Sequence, residues 1–197
     1  VLGRPRVDEV EVRFILDPNV IVASVLAGTV DLAVGRGLSF EQASQASSQW
    51  GQGRMDLSFA AASWIALFPQ FVNPEPPIIA EVRFRRALLH LTDRQGLVDT
   101  FQGGLTPVAD SYVSPGQSEY KDVAAGIVRY GYDPQRAAQL LEELGYARGP
   151  DGFYHERGSG ERSNPSGPAL RVEVRTTSGD DLRDKVLYAT ADAWQKA

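Results

Sequence analysis

The order of strand-like and helix-like patterns most constrains the fold of this chain. Residues 9–16, EVEVRFIL, alternate apolar and polar side chains, which predicts a strand with one buried face. The next residues, DPNVIVASVLAG, predict a helix that is capped by Asp17 and ends at Gly28. Residues 30–34 predict a second strand, and a strand, helix and strand in this order favour a parallel pair with a right-handed crossover. Because residues 170–178 again predict a strand that a helix follows, the chain reads as an α/β protein.

Capping residues predict four further helices in the sequence. Ser39 and Gln42 have the spacing of a capping box, in which each side chain bonds to the backbone of the other residue. Residues 81–91 and 94–102 predict two consecutive helices, and residues 132–146, YDPQRAAQLLEELGY, predict the clearest helix of the chain. The polar, glycine-rich residues between 147 and 168 indicate a surface loop with a small hairpin.

Composition excludes several classes of protein. The 197 residues are enough for one compact domain or two small lobes. A net charge of −5 counts against nucleic-acid binding, which draws most of its affinity from basic side chains near phosphates. The absence of cysteine excludes disulfides and thiolate metal sites. Because the chain begins with Val1 and its last helix runs to the final residue, we expect it to be a segment of a longer protein.

No motif for nucleotide binding or hydrolysis stands out. The stretches GRGLSF and GQGRMD each contain G-x-G but lack the third glycine of a dinucleotide fingerprint, so ordinary turns explain them. The nucleophile motif G-x-S-x-G is absent. His90 and His155 lie far apart in sequence, which favours two solvated histidines over a metal or catalytic pair. The sequence therefore predicts no cofactor, no metal and no catalytic residue.

The stretch VRFRRALLHLTDRQGLV, residues 82–98, places four arginines around one short apolar stripe. A nucleic-acid patch, an anion site and a solvated helix face all fit this pattern, and Asp93 is expected to cap the second helix. The simplest expectation is exposed ion pairs of Arg83, Arg86 and Arg94 with Glu81, Asp93 and Asp99. Each exposed pair contributes about 0–1 kcal/mol.

Several motifs, taken in order, resemble one protein family. They are DPNVIVASVLAGTVDLA, an aromatic-rich strand ending in Asn73, EVRFRRALLHLTDRQGLV, a GG-x-x-P loop, YDPQRAAQLLEELGY, a DGF turn and LRVEVRTTSGDDLRDKV. The unit V-R-x-R-x-A-L-x-x-x-x-D-R-x-x-L-V is highly specific. The chain resembles, over nearly its whole length, the extracellular solute-binding proteins of family 5, the oligopeptide, dipeptide and nickel receptors of ABC importers.

The resemblance implies a fold and a function. The fold would be an α/β, periplasmic-binding-protein-like (type II, family 5) fragment with a mixed sheet and flanking helices. Residues 1–72 would form the end of the first lobe and the crossover strands, and residues 73–197 the first half of the last ligand-binding lobe. The whole protein would bind a peptide or another small solute by hinge closure and deliver it to a membrane permease. It would work outside the cytoplasm, in the periplasm or at the cell surface, where a lipid anchor on the full-length protein fits this role.

The resemblance also suggests ligand-binding residues. Arg183, with Thr177 and Ser178 beside a helix N-terminus, would meet a ligand carboxylate, and Trp64 would line the cleft. The alternatives are that Arg183 is a solvated helix residue and that Trp64 is buried in the core. Two other functions stay open: a small α/β hydrolase, and an extracellular interaction module without a small ligand.

Overall fold

The computed structural model describes residues 3, 6–35, 37–51, 53–56, 64–157, 165–177 and 179–197. The chain divides into two compact units, Val1–Asp56 and Leu57–Ala197. No helix within these described ranges is long and apolar enough to cross a membrane.

The first unit contains two helices, α1 (Pro18–Leu26) and α2 (Phe40–Gln49). The Asp17 carboxylate accepts a hydrogen bond from the Asn19 amide at 2.8 Å and so caps α1 as predicted. The predicted capping box of α2 is also confirmed, since both of its hydrogen bonds form, at 3.1 and 3.2 Å. Both helices therefore begin where local side-chain chemistry satisfies their first amide groups.

The strands predicted before and after α1 are wrong for this structure. Residues 9–16 and 30–34 form no strand, and Phe14 is 93% exposed although the alternation predicts a buried side chain. A strand needs a neighbouring backbone for its hydrogen bonds, and no strand lies in the described part of this unit. The predicted strand–helix–strand unit is consequently reduced here to its helix.

The second unit contains five α-helices among its described residues. They are α3 (Val82–Leu91), α4 (Arg94–Gln102), α5 (Tyr120–Val123), α6 (Pro134–Glu143) and α7 (Asp181–Lys196), with 3₁₀ turns at Pro77–Ala80 and Ala124–Gly126. The consecutive helices α3 and α4 confirm the prediction for the arginine-rich stretch. Asp93 caps α4 by accepting from the Gly96 amide at 2.9 Å, and Gly103 ends it with φ +58°.

The sheet of the second unit is small and antiparallel. It consists of β1 (Tyr146–Arg148), β2 (Tyr154–Arg157) and β3 (Pro165–Ala169), in that spatial order. The predicted hairpin is thus confirmed, but the mixed sheet is not present in the described residues. Residues 171–177 form no strand, contrary to prediction, while β3 forms just before them. Pairing with β2 decides this outcome. The Leu170 amide donates to the Tyr154 carbonyl of β2 at 2.7 Å, and Leu170 is the last residue of this segment that bonds to β2.

The core of the second unit forms where α3 packs against α6. Its buried side chains come from one face of each helix: Phe84, Ala87 and Leu91 from α3, and Ala137, Leu140 and Leu141 from α6. Helix α7 joins this core through Trp194, whose indole donates to the Thr92 hydroxyl at 3.0 Å. That hydroxyl donates in turn to the Leu88 carbonyl at 2.8 Å, so the buried Thr92 is satisfied on both sides.

His155 fastens the sheet through both of its ring nitrogens. Nδ1 lies 2.9 Å from the Gly167 carbonyl of β3, and Nε2 lies 3.0 Å from the Asp151 carboxylate in the hairpin turn. Since both neighbours are acceptors, the doubly protonated ring is favoured. These neighbours raise the pKa of His155, and the hydrogen bond to the Gly167 carbonyl has a larger effect than the hydrogen bond to Asp151. Two hydrogen bonds lower the pKa of Asp151, and the bond from His155 has a larger effect than the bond from the Phe153 amide.

This clamp predicts a pH-dependent stability. The contribution of His155 is complete below its unfolded pKa and is lost as the pH rises through its higher folded pKa. The contribution of Asp151 is complete above its unfolded pKa and is lost as the pH falls through its lower folded pKa. Both contributions are therefore present between about pH 4 and about pH 6.5.

We expect the melting temperature of the protein to fall more steeply from about pH 6 to about pH 8 than that of a His155→Gln variant. An NMR titration should place the pKa of His155 above its ordinary value in the unmodified protein and lower in Asp151→Asn. Equal titration curves of His155 in the unmodified protein and in Asp151→Asn would show that the clamp does not form in solution.

Candidate functional site

A cleft of about 390 Å³ opens on the second unit. One wall comes from Trp64, Ile65 and Ala66, in the irregular segment 64–72, where an aromatic-rich strand was predicted. The other wall comes from both ends of the connection between α4 and α6: Ala109, Asp110, Ser111 and Tyr112 at one end, and Ile127 and Val128 at the other. The volume falls in the range of about 300–1,000 Å³ that is typical of small-ligand sites.

The mouth of the cleft is aromatic. The ring centroids of Trp64 and Tyr112 lie 5.1 Å apart in an edge-to-face arrangement, and the ring centroid of Phe68 lies 6.2 Å from that of Trp64. Trp64 is 38% exposed, so it lies in the cleft wall rather than in the core. Such rings offer large, stiff apolar surfaces to a ligand at a low cost in side-chain entropy.

A charged cluster adjoins the cleft through Asp110, which is one of its lining residues. The Asp110 carboxylate is 2.9 Å from Arg94 Nη1 and 3.6 Å from Arg129 Nε. The Asp110 and Arg94 side chains are only 19% and 25% exposed, so this pair is less screened than an ion pair in open solvent. Of these three side chains, only Asp110 lines the cleft, and the two arginines offset its negative charge. The cleft is thus suited to an apolar, uncharged group.

The arginines of residues 82–98 do not form the ion pairs that the sequence predicts. Arg94 pairs with Asp110 instead of a carboxylate on its own helix. Arg85 donates to the carbonyls of Ile79 and Ala80, at 2.9 and 2.6 Å, and lies 5.0 Å from the centre of the Phe71 ring. The remaining two, Arg83 and Arg86, are exposed and form no ion pair within the described part of the chain. Two arginines therefore hold irregular segments in place, and two face outward.

Arg183 and Thr177 come together at the start of α7. Arg183 Nη1 donates to the Thr177 hydroxyl at 3.4 Å, and its Nε lies 3.3 Å from the Asp180 carboxylate. Asp180 also caps α7 by accepting from the Arg183 amide at 3.1 Å. A ligand carboxylate at this place would have to compete with Asp180. Ser178 lies outside the described residues, and neither Arg183 nor Thr177 lines the cleft of Trp64.

Sequence reasoning missed the side of the cleft formed by residues 109–128. Those residues read as a plain loop, because Tyr112 and Asp110 carry no local pattern. The signal that was present is a tyrosine among small residues in ADSYVSP, two positions after Asp110. Within the described ranges, no group of three or more histidine, aspartate or glutamate side chains could hold a metal ion.

Comparison with known proteins identifies the family. The model of the bacterial extracellular solute-binding proteins, family 5 (middle), matches residues 2–197. The chain belongs to this family. A probable ABC transporter-binding protein of Deinococcus radiodurans is 27% identical over 98% of this chain and 32% of its own length. A putative ABC transporter peptide-binding protein of Brucella ovis is 28% identical over 73% of this chain and 25% of its own length.

A solved structure supports the same assignment. The oligopeptide binding protein of Thermus thermophilus, crystallised in complex with a pentapeptide, matches with a TM-score of 0.64 and 27% identity. The match covers 93% of this chain and 30% of the Thermus chain. The family 5 chain described here is therefore a partial α/β fold of the periplasmic-binding-protein type, as the sequence predicts. It spans about a quarter to a third of the length of the relatives that it matches.

Proposed function

We propose that the chain is a segment of the extracytoplasmic solute-binding receptor of an ABC importer. The receptor binds peptides, or a similar small solute, between two lobes and delivers them to the permease in the membrane. The open aromatic cleft at Trp64 and Tyr112 carries this proposal, because a chain of this family needs a surface that holds a small solute. The names of the Brucella relative and the Thermus structure favour a peptide.

The proposal assigns each part of the chain a place in the receptor. Residues 1–72 contribute the end of the first lobe and the crossover, and residues 73–197 contribute the first half of the last ligand-binding lobe. The receptor lies in the periplasm or on the cell surface, with a lipid anchor as one way of holding it there. It performs no covalent chemistry, and its partners are the solute and the permease subunits rather than a nucleic acid.

In the proposed complex, Trp64, Tyr112 and Phe68 pack against apolar side chains of the peptide. Their rings are already in contact with one another, so binding costs little reorganisation. The two arginines that pair with Asp110 offset its charge, so an uncharged, apolar side chain suits the cleft best. Arg183, at the N-terminus of α7, attracts the terminal carboxylate of the peptide.

Arg183→Ala should weaken binding of a peptide with a free C-terminal carboxylate by more than about tenfold, or about 1.4 kcal/mol. Titration calorimetry on the full-length receptor measures the loss. The same peptide with an amidated C-terminus should bind both proteins equally, because it lacks the charge that Arg183 meets. Arg175→Ala provides a matched control, since Arg175 is exposed and paired with Glu173 at 2.8 Å. An equal loss for both peptides would assign Arg183 a structural role instead.

A melting experiment tests the proposed function itself. The full-length receptor and residues 1–197 are each heated with and without a pool of di- to pentapeptides. A ligand that binds only the folded state raises its melting temperature. At a ligand concentration of 100 times the dissociation constant, binding adds about 2.7 kcal/mol to the free energy of unfolding. We expect a shift for the full-length receptor. Turnover of an ester or peptide substrate without any shift would favour the hydrolase, and partner capture without any shift would favour the interaction module.

A further inference from the structure

One long loop forms most of the cleft. Six of the nine lining residues lie at its two ends, from Ala109 to Tyr112 and at Ile127 and Val128. Between these ends the chain makes only a short helix and a 3₁₀ turn, at residues 120–126. The width and shape of the cleft therefore depend on how the two ends of the loop are held together.

Arg94 lies between the two ends and binds to both. At the first end, its Nη1 donates to the Ala109 carbonyl at 3.2 Å and pairs with Asp110 at 2.9 Å. At the second end, its Nη2 donates to the Tyr130 carbonyl at 2.6 Å. A guanidinium is a rigid planar fork with several donors, so one side chain can fix three acceptors in a set geometry, which an ammonium cannot do.

The attachment point of Arg94 is itself rigid. Arg94 is the first residue of α4, directly after the Asp93 cap and three residues from Leu91 of the buried core. His90 of α3 holds the chain just past Tyr130, with Nδ1 2.8 Å from the Gly131 carbonyl. The loop is thus tied to the junction of two packed helices.

We propose that Arg94 is a positioning residue for ligand binding, which closes the loop of residues 109–130 and so sets the shape of the cleft. The expected effect of Arg94 on ligand affinity rests on the proposed function. Its expected effect on the structure of the loop does not. Arg94 touches no cleft surface of its own, because it is not among the lining residues. Its effect on the ligand is exerted through Asp110 and the backbone at both ends of the loop.

The test combines hydrogen exchange with peptide binding, in the full-length receptor and in its Arg94→Ala, Arg94→Lys and Arg83→Ala variants. In Arg94→Ala, we expect amides of residues 109–130 to exchange about tenfold faster or more, while amides of α3 and α6 keep their protection. Affinity for an apolar pentapeptide should fall by about tenfold or more. Arg94→Lys keeps the charge near Asp110 but cannot bind all three acceptors. Its loop exchange and its peptide affinity should therefore lie between those of the unmodified protein and those of Arg94→Ala. Arg83→Ala, from the exposed side of the same stretch, should match the unmodified protein.

Two results would overturn the inference. One is that the amides of residues 109–130 exchange at the same rate in Arg94→Ala as in the Arg83→Ala control. The other is that these amides exchange faster in Arg94→Ala while its peptide affinity is unchanged. Should Arg94→Ala fail to fold, Arg94→Lys takes its place, because lysine keeps the cation near Asp110 but cannot bind all three acceptors. If neither the unmodified receptor nor any variant binds peptide, peptide is refuted as the solute, and the exchange of the loop alone then decides the role of Arg94.

Discussion

Replacing Phe84 with alanine lowers the free energy of unfolding by about 3–5 kcal/mol. Phe84 is 1% exposed and is the largest fully buried side chain among the described residues. It lies on α3 in the core with Leu140 and Leu141 of α6. Removing its ring takes apolar surface out of the core and leaves a cavity that two packed helices cannot close.

Urea denaturation of residues 1–197 measures this effect, and a second phenylalanine provides the matched control. Phe68 belongs to the same unit but is 72% exposed, so Phe68→Ala should cost less than about 1 kcal/mol. Similar losses for the two variants would show that α3 and α6 do not form the stable core of this unit.

Replacing Trp64 with alanine should weaken peptide binding by the full-length receptor about 30-fold, or about 2 kcal/mol. Trp64 contacts Tyr112 and lines the cleft, so its loss removes the largest apolar surface from the mouth. The indole is also held in place by its neighbours, and truncation would leave Tyr112 free to move.

Trp64→Phe is the matched variant for this experiment. A phenyl ring keeps an aromatic face toward the ligand, so the affinity should remain within about fivefold of the unmodified receptor. Titration calorimetry gives the affinities, and the melting temperature without ligand shows whether each variant is folded. A folded Trp64→Ala receptor with full affinity would place the binding surface elsewhere.

The helices could be predicted from the sequence because their ends are fixed by residues close in sequence. Asp17, Ser39, Asp93 and Asp133 each cap a helix whose first amides lie two or three residues away. A strand depends on a partner that local sequence does not specify. Residues 9–16 have the right alternation but no partner among the described residues, and β3 formed next to the predicted strand because β2 was there to pair with it.

The cleft could be predicted only in part for the same reason. Trp64 was a candidate because aromatic side chains on such segments often line ligand sites. Its partner Tyr112 is 48 residues further along the chain, and the carbonyl of Tyr130 that Arg94 binds is 36 residues away. Contacts over such distances depend on the packed helices between them, which no spacing rule encodes.

A crystal structure of the full-length receptor with a bound apolar pentapeptide tests the central claim most directly. We predict that a peptide side chain lies within about 4 Å of the Trp64 ring and fills the cleft, with Arg94 bound to both ends of the loop. A peptide bound at another place, with no atom in contact with Trp64 or Tyr112, would contradict the proposal that this cleft is the ligand-binding site.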